Sequence, residues 1–196
     1  MCDIYLASVP KARTYTELYP KERNDELEAV TNEAVKAEKY FVWRLLEFAL
    51  RNSIGKRIED ISFTKLECGK WVCNDIFFSL SHSRSALAIA ISDTEVGIDI
   101  QSMNAPIASG FAERILTEDE ISEYTSLPQN DKKPYLMKAW SIKESIFKAY
   151  GKASFSPSKI SINEYECYTE FIDINDEKFC LSLVGKAPRI IETVEL

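Results

Sequence analysis

The sequence predicts an α+β fold. One long stretch in the first half carries apolar residues at spacings of three and four, a second long helix is read in the other half, and the segments after each read as strands. Each half therefore runs from helix to strands. The chain has 196 residues, 45% of them hydrophobic and 28% charged, enough for a core without disulfides and too apolar for disorder.

Residues 3–9 read as a first strand, and Pro10 opens a polar loop to about Asp25. From Glu26 to about Arg51 a helix is predicted, because Val30, Ala34, Ala37, Phe41, Leu45 and Phe48 recur at helical spacing; Ser53-Ile54-Gly55 is its stop. Ile58 to Lys65 and Trp71 to Leu80 are strand candidates on either side of the turn Cys68-Gly69-Lys70. Ala86 to Ser92 sets Leu87, Ile89 and Ile91 on one side. Asp93-Thr94-Glu95 then turns into Val96 to Gln101, which reads as a hairpin.

Beyond a loop with Pro106 and Gly110, Thr117-Glu118-Asp119-Glu120 is a capping box, with Leu116 and Ile121 set to staple across it. That helix should reach about Tyr124 and break at Leu127 to Asp131. A longer helix is expected from Lys133 to Tyr150, stopping at Gly151. Strands at Ile160 to Ile162, Cys167 to Ile174, Phe179 to Val184 and Ile190 to Val194 complete the chain. The two halves, 1–105 and 106–196, divide near Ala105.

Composition narrows the function. The N-terminus has no basic stretch followed by a long apolar run, and no segment approaches the roughly 18 apolar residues of a membrane span. Five scattered cysteines suit a reducing compartment, so the cytoplasm is expected. Cys68 and Cys73 form no CxxC pair, and the sole histidine, His82, is too distant for a finger-type zinc site. A net charge of −7 disfavours nucleic acid. Neither GxxxxGK[ST] nor GxGxxG is present.

Three segments look chemical. In Gly97-Ile98-Asp99-Ile100-Gln101, a strand puts Asp99 and Gln101 on one face, and a carboxylate beside an amide oxygen suits a hard cation. Gly97 should leave the approach to that face open; the plainer alternative is a solvated edge strand. In the second, Trp140, Glu144 and Lys148 lie four apart on one helical face, with Lys143 and Phe147 beside them. That face is mixed rather than cleanly apolar, although a surface Glu144–Lys148 ion pair would explain it too. In Ser79-Leu80-Ser81-His82-Ser83-Arg84, a hydroxyl-rich turn, hydroxyls, amides and a cationic ring can hold phosphate oxygens. A Ser-His-Asp hydrolase is a rival without its GxSxG elbow, and an ordinary turn histidine is the plain alternative.

In this order the segments resemble the Sfp-type 4′-phosphopantetheinyl transferases. The resemblance rests on Gly69-Lys70, Phe77 to Ser83, Val96 to Ile100, Arg114 to Glu120 and Trp140 to Lys152, and covers residues 65–153. More loosely it takes in the helix with Trp43-Arg44-Leu45-Leu46. It implies two similar α+β halves related by a pseudo-twofold, with the active site at their interface. The reaction implied moves the 4′-phosphopantetheine arm of coenzyme A onto a serine of an acyl or peptidyl carrier protein and releases adenosine 3′,5′-bisphosphate.

The resemblance makes Asp99 and Glu144 ligands of Mg²⁺ on the pyrophosphate, with Gln101 as a third position. Glu144, or a metal-bound water near it, would take the serine proton. Lys148 and Lys143 would steady phosphate oxygens, while Lys70, Ser81 and His82, with Arg44 and Lys36 as further candidates, would hold the nucleotide end and its 3′-phosphate. Many relatives carry an acidic residue where Gln101 stands, which lowers the site's charge here. Trp71 replaces a common proline, and Ala153 lies where glycine is usual. The partners implied are coenzyme A and an acidic carrier protein, which a chain of net charge −7 should meet through a local apolar or basic patch; an exposed apolar surface is expected near Phe111 and Leu116. No nucleic acid or membrane is expected, and a monomer suffices for the site. A non-catalytic relative binding coenzyme A or a carrier is the alternative that Gln101 sustains; a plain interaction protein would need every match to be accidental.

Overall fold

A computed structural model describes residues 1–67, 69–151 and 154–196. Cys68 of the expected turn, and Lys152 and Ala153 at the end of the Trp140 motif, lie outside the described residues. The fold is α+β. Strand β1 (Cys2–Ser8) is followed by α1 (Glu22–Glu28), α2 (Glu33–Ile54), the short β2 (Phe63–Lys65) and β3 (Trp71–Cys73), then β4 (Phe77–Ser83), β5 (Ala86–Ser92) and β6 (Gly97–Ser102). Helices α3 (Phe111–Ile115), α4 (Glu118–Ser126) and α5 (Gln129–Tyr150) come next, and β7 (Cys167–Ile174), β8 (Glu177–Val184) and β9 (Ile190–Val194) end the chain.

Two main sheets form, in the orders β4-β5-β1-β9 and β6-β8-β7, with β2 and β3 as a separate ribbon. The alternation in β5 decides how they stack. Leu87, Ile89 and Ile91 pack under Trp43, Leu45, Leu46 and Leu50 of α2. Ala86, Ala88 and Ala90 face the other way, onto Ile98, Ile100, Leu181 and Leu183 of the second sheet, where small side chains let the sheets approach. On its far side that sheet is covered by α5 through Ile142, Ile146 and Ala149, with Val184 beneath. β9 returns to run parallel to β1. There Arg189 grips the buried Asp3 with two bonds of 2.9 and 2.7 Å.

Several expectations need correction. The helix predicted from Glu26 is two helices, because Asn32 accepts the N–H groups of Ala34 and Val35 at 3.0 and 3.2 Å and starts α2 afresh. It ends at Gly55, whose φ of 67° suits the left-handed cap. The strand predicted over Trp71 to Leu80 is split between β3 and β4. β5 and β6 form no hairpin: both edges of β5 are taken by β1 and β4, so β6 crosses to pair with β8. Ser79 to Ser83 lie within β4, and the turn proper falls at Arg84, φ 55°. α5 begins at Gln129, not Lys133, and carries Pro134 inside it. No strand forms at Ile160 to Ile162; the Ile162 N–H goes instead to Glu120 Oε1 at 2.8 Å. The Thr117–Glu120 capping box is present.

Gly97 has a different purpose from the one expected. It opens no approach to the Asp99 face; α5 crosses directly over it. A Cβ there would lie 1.9 Å from the Ser145 carbonyl oxygen and 2.6 Å from the Ala149 nitrogen, both backbone atoms that cannot swing aside. Gly97→Ala should therefore push α5 off β6 and cost about 2–3 kcal/mol. Thermal unfolding checks this: a fall of roughly 4–12 °C is expected, and an unchanged midpoint would refute the close packing.

Candidate active site

β6 is built to aim carboxylate chemistry at α5. Its inner edge pairs with β8. The N–H groups of Ile98, Ile100 and Ser102 on the other edge are accepted by the hydroxyls of Ser79, Ser81 and Ser83 at 3.0, 3.2 and 3.1 Å. The period of two in Phe78-Ser79-Leu80-Ser81-His82-Ser83 thus lets side chains of β4 stand in for a neighbouring strand's carbonyls. This ladder locks β4 against β6 across the two sheets.

Asp99 sits at its centre, 2% exposed. Its Oδ1 accepts from Ser81 Oγ at 2.9 Å and from Lys148 Nζ at 2.7 Å; its Oδ2 accepts from Gln101 Nε2 at 2.9 Å. Lys148 Nζ also donates to Ser81 Oγ at 2.9 Å. Glu144 is one helical turn before Lys148 on the same face. Burial above all, and then the negative charge of Asp99, push the Glu144 carboxyl up to about 7, with the Lys148 ammonium pulling the other way. Among the described residues no side chain hydrogen-bonds its carboxylate. Lys70 reaches over from the β2–β3 ribbon and donates to the Lys148 carbonyl at 2.5 Å.

The structure thus gathers Asp99, Gln101, Glu144, Lys148, Ser81 and Lys70. His82 faces an adjoining cavity of about 530 Å³ that Lys70 also lines. Three sequence candidates lie elsewhere. Lys143 is fully buried, with Nζ on Glu120 Oε2 at 2.5 Å and on the Ile115 carbonyl at 2.6 Å. One residue is about 100° of helix, so a helix that aims Glu144 at Asp99 must turn Lys143 away. Arg44 pairs with Glu47 at 2.6 Å on another face of α2, and Lys36 lies over the Tyr15 ring at 5.9 Å. The apolar patch expected at Phe111 and Leu116 is not open either: Leu116 is 2% exposed and Phe111 packs against Trp140 with the rings tilted at 55°.

Sequence reading missed the cavity's other cations, Arg23, Lys39 and Lys65. Arg23 lies beneath Trp43 at 5.0 Å and bonds Glu26 at 2.5 Å, which also pairs with Lys65. A protein of net charge −7 thus has a basic hollow beside its carboxylates, with Glu26 the one acid among its described lining residues. Nothing in the local sequence links these residues; only the fold does.

Could the carboxylates hold a metal? Among the described residues there is no cluster of three or more His, Cys, Asp or Glu. Yet Glu144 and Asp99 face each other closely enough to raise the Glu144 pKa, and Gln101 can offer an amide oxygen. Two carboxylates with the rest of the shell from phosphate and water is how Mg²⁺ is commonly held, so the donor set fits.

Comparison with known proteins identifies the family. The family described as the 4′-phosphopantetheinyl transferase superfamily matches residues 95–192, half of the chain, which runs from the approach to β6 through α5 into β9. The 4′-phosphopantetheinyl transferase gsp of Aneurinibacillus migulanus is 40% identical over 100 residues, 50% of this chain and 42% of the relative. A 4′-phosphopantetheinyl transferase of Bacillus subtilis is 30% identical over 170 residues, 78% of this chain and 75% of the relative. A holo-(acyl-carrier-protein) synthase of Mycoplasma genitalium is 31% identical over 86 residues, 39% of this chain and 74% of the relative. The chain spans less than half the length of gsp, 42%, and about three quarters of the other two. With its matched region holding Asp99, Glu144 and Lys148, the chain belongs to the 4′-phosphopantetheinyl transferase superfamily.

Proposed function

We propose that this protein transfers the 4′-phosphopantetheine group from coenzyme A to a serine hydroxyl of an apo acyl or peptidyl carrier protein. The serine oxygen forms a new bond to the β-phosphorus, the phosphoanhydride breaks, and adenosine 3′,5′-bisphosphate leaves. The observation that carries this reading is Glu144. A carboxyl raised to about 7 beside the Asp99 carboxylate suits a general base at neutral pH. Its neighbour Lys148 holds an ammonium where phosphate oxygens would lie, and Ser81 fixes both Asp99 and Lys148.

Asp99 and Glu144 would hold Mg²⁺, with Gln101 adding its amide oxygen once turned from Asp99; bound there, the ion would neutralise pyrophosphate charge as the anhydride breaks. The basic cavity would receive the nucleotide end, with Lys70 and His82 at its wall. In this reading 1–105 and 106–196 are the two similar halves related by a pseudo-twofold, each with a 22-residue helix laid on a sheet. The protein works as a monomer in the cytoplasm, without nucleic acid or membrane. Among the described residues no helix is long and apolar enough to cross a membrane.

The test is mass spectrometry of apo carrier proteins incubated with the protein, coenzyme A and Mg²⁺. A carrier should gain one phosphopantetheine, and Asp99→Ala should remove the gain. Gln101, engaged as a donor to Asp99, favours a second reading, a non-catalytic module that binds coenzyme A or a carrier. Coenzyme A binding with no gain on any carrier would decide for it.

A further inference from the structure

A titratable pair stands at the wall of the basic cavity. His82 lines it from β4, and its Nδ1 lies 2.9 Å from Oε2 of Glu38 on α2. Glu38 is not among the described lining residues; it stands behind the ring, its side chain 16% exposed against 31% for His82. The remaining ring nitrogen, Nε2, has no hydrogen-bond partner among the described residues. The other charged groups around the cavity are Arg23, Lys39, Lys65 and Lys70, with Glu26 the acid. Glu26 already pairs with Arg23 and Lys65. Of the side chains that line the cavity, then, His82 is the one imidazole, and Glu38 is the carboxylate in contact with it.

A carboxylate that accepts from Nδ1–H fixes the tautomer and leaves Nε2 as the working edge. In the neutral ring that edge is a lone pair, which repels a phosphate oxygen. In the imidazolium it is a donor, and the carboxylate behind it stabilises the charge. We propose that Glu38 is a positioning residue that makes His82 a phosphate-binding cation, so that capture of a nucleotide phosphate at this wall is coupled to proton uptake by the ring. The role rests on the coenzyme A reading above.

The probe is adenosine 3′,5′-bisphosphate, titrated calorimetrically into the intact protein between about pH 5.5 and about pH 8.5. Glu38→Gln keeps a hydrogen-bond acceptor but removes the charge. It should match the parent within about twofold at the acid end and bind about tenfold more weakly at the alkaline end, roughly the worth of one charge-assisted hydrogen bond to phosphate. His82→Gln should bind weakly and leave only the pH dependence of the ligand's own phosphates. As the sole histidine, His82 also gives unambiguous ring nitrogen signals in NMR. The neutral ring should carry its proton on Nδ1 in the parent and revert to Nε2 in Glu38→Ala, with circular dichroism confirming that the variant is folded. A loss in Glu38→Gln that is equal at every pH, or no loss, overturns the positioning role and leaves the coenzyme A reading intact. A parent that fails to bind the bisphosphate at any pH overturns that reading and the role with it.

Discussion

Glu144→Gln is expected to lower carrier modification by about 10³-fold while making the metal-free protein more stable above neutral pH. The two effects have one cause. Burial, and next the nearby Asp99 charge, raise the Glu144 carboxyl from 4.5 to about 7, against the pull of Lys148. A carboxyl whose folded pKa lies above its unfolded value contributes stability that is full below 4.5 and is lost as pH climbs through about 7. At about pH 8 the ionised group then costs the fold about 1–2 kcal/mol, after discounting for its partial exposure. Glutamine keeps the shape and removes that cost, so the melting temperature should rise by roughly 2–6 °C. The same ionisation is what a divalent cation requires. Mg²⁺ should raise the parent's melting temperature more at about pH 8 than at about pH 6, and should scarcely move that of the variant. A variant destabilised at about pH 8, or one whose metal response is intact, would remove Glu144 from both roles.

That Glu144 lies near Asp99 while Lys143 is turned to Glu120 is a matter of angle. The spacing of Trp140, Glu144 and Lys148 names a helical face, and Asp99 and Gln101 name a strand face, because both periods are local properties of the backbone. Which faces meet is not local. The expected β5–β6 hairpin failed because the edges of β5 were claimed by β1, whose partners lie 78 or more residues earlier in the chain, and by β4. The same limit hid the serine ladder: Ser79, Ser81 and Ser83 are plainly alternate, yet their partners lie on a strand of the other sheet. Gly97 was noticed as a glycine beside Asp99, but what it makes room for is a helix some fifty residues later, so only packing could reveal its use. Arg23, Lys39 and Lys65 carry no motif at all, and become a group only when α1, α2 and β2 close around one cavity.

Glu120→Ala is expected to be the most destabilising single change near the site, although Glu120 touches no reacting group. Its Oε2 accepts from Lys143 Nζ at 2.5 Å and from the Thr117 N–H at 2.9 Å, and its Oε1 accepts from the Ile162 N–H at 2.8 Å. One carboxylate therefore caps α4, ties down the chain after α5 and neutralises a fully buried ammonium. Truncating it strands the Lys143 charge, whose pKa is already lowered by burial and held up chiefly by Glu120. Breaking a buried pair from one side costs about 3–5 kcal/mol, and the lost cap adds about 1 kcal/mol. A fall of roughly 8–24 °C in melting temperature should follow. Lys143→Met should cost less, because it leaves Glu120 with two N–H donors and fills the space with a side chain of similar length. Turnover by folded Lys143→Met then separates two views of this lysine. Since its ammonium is consumed by Glu120 and the carbonyls of Ile115 and Pro157, KM for coenzyme A should stay within about twofold of the parent's. A rise of tenfold or more in KM, with the melting temperature preserved, would return Lys143 to the phosphate-binding role that the family resemblance suggested.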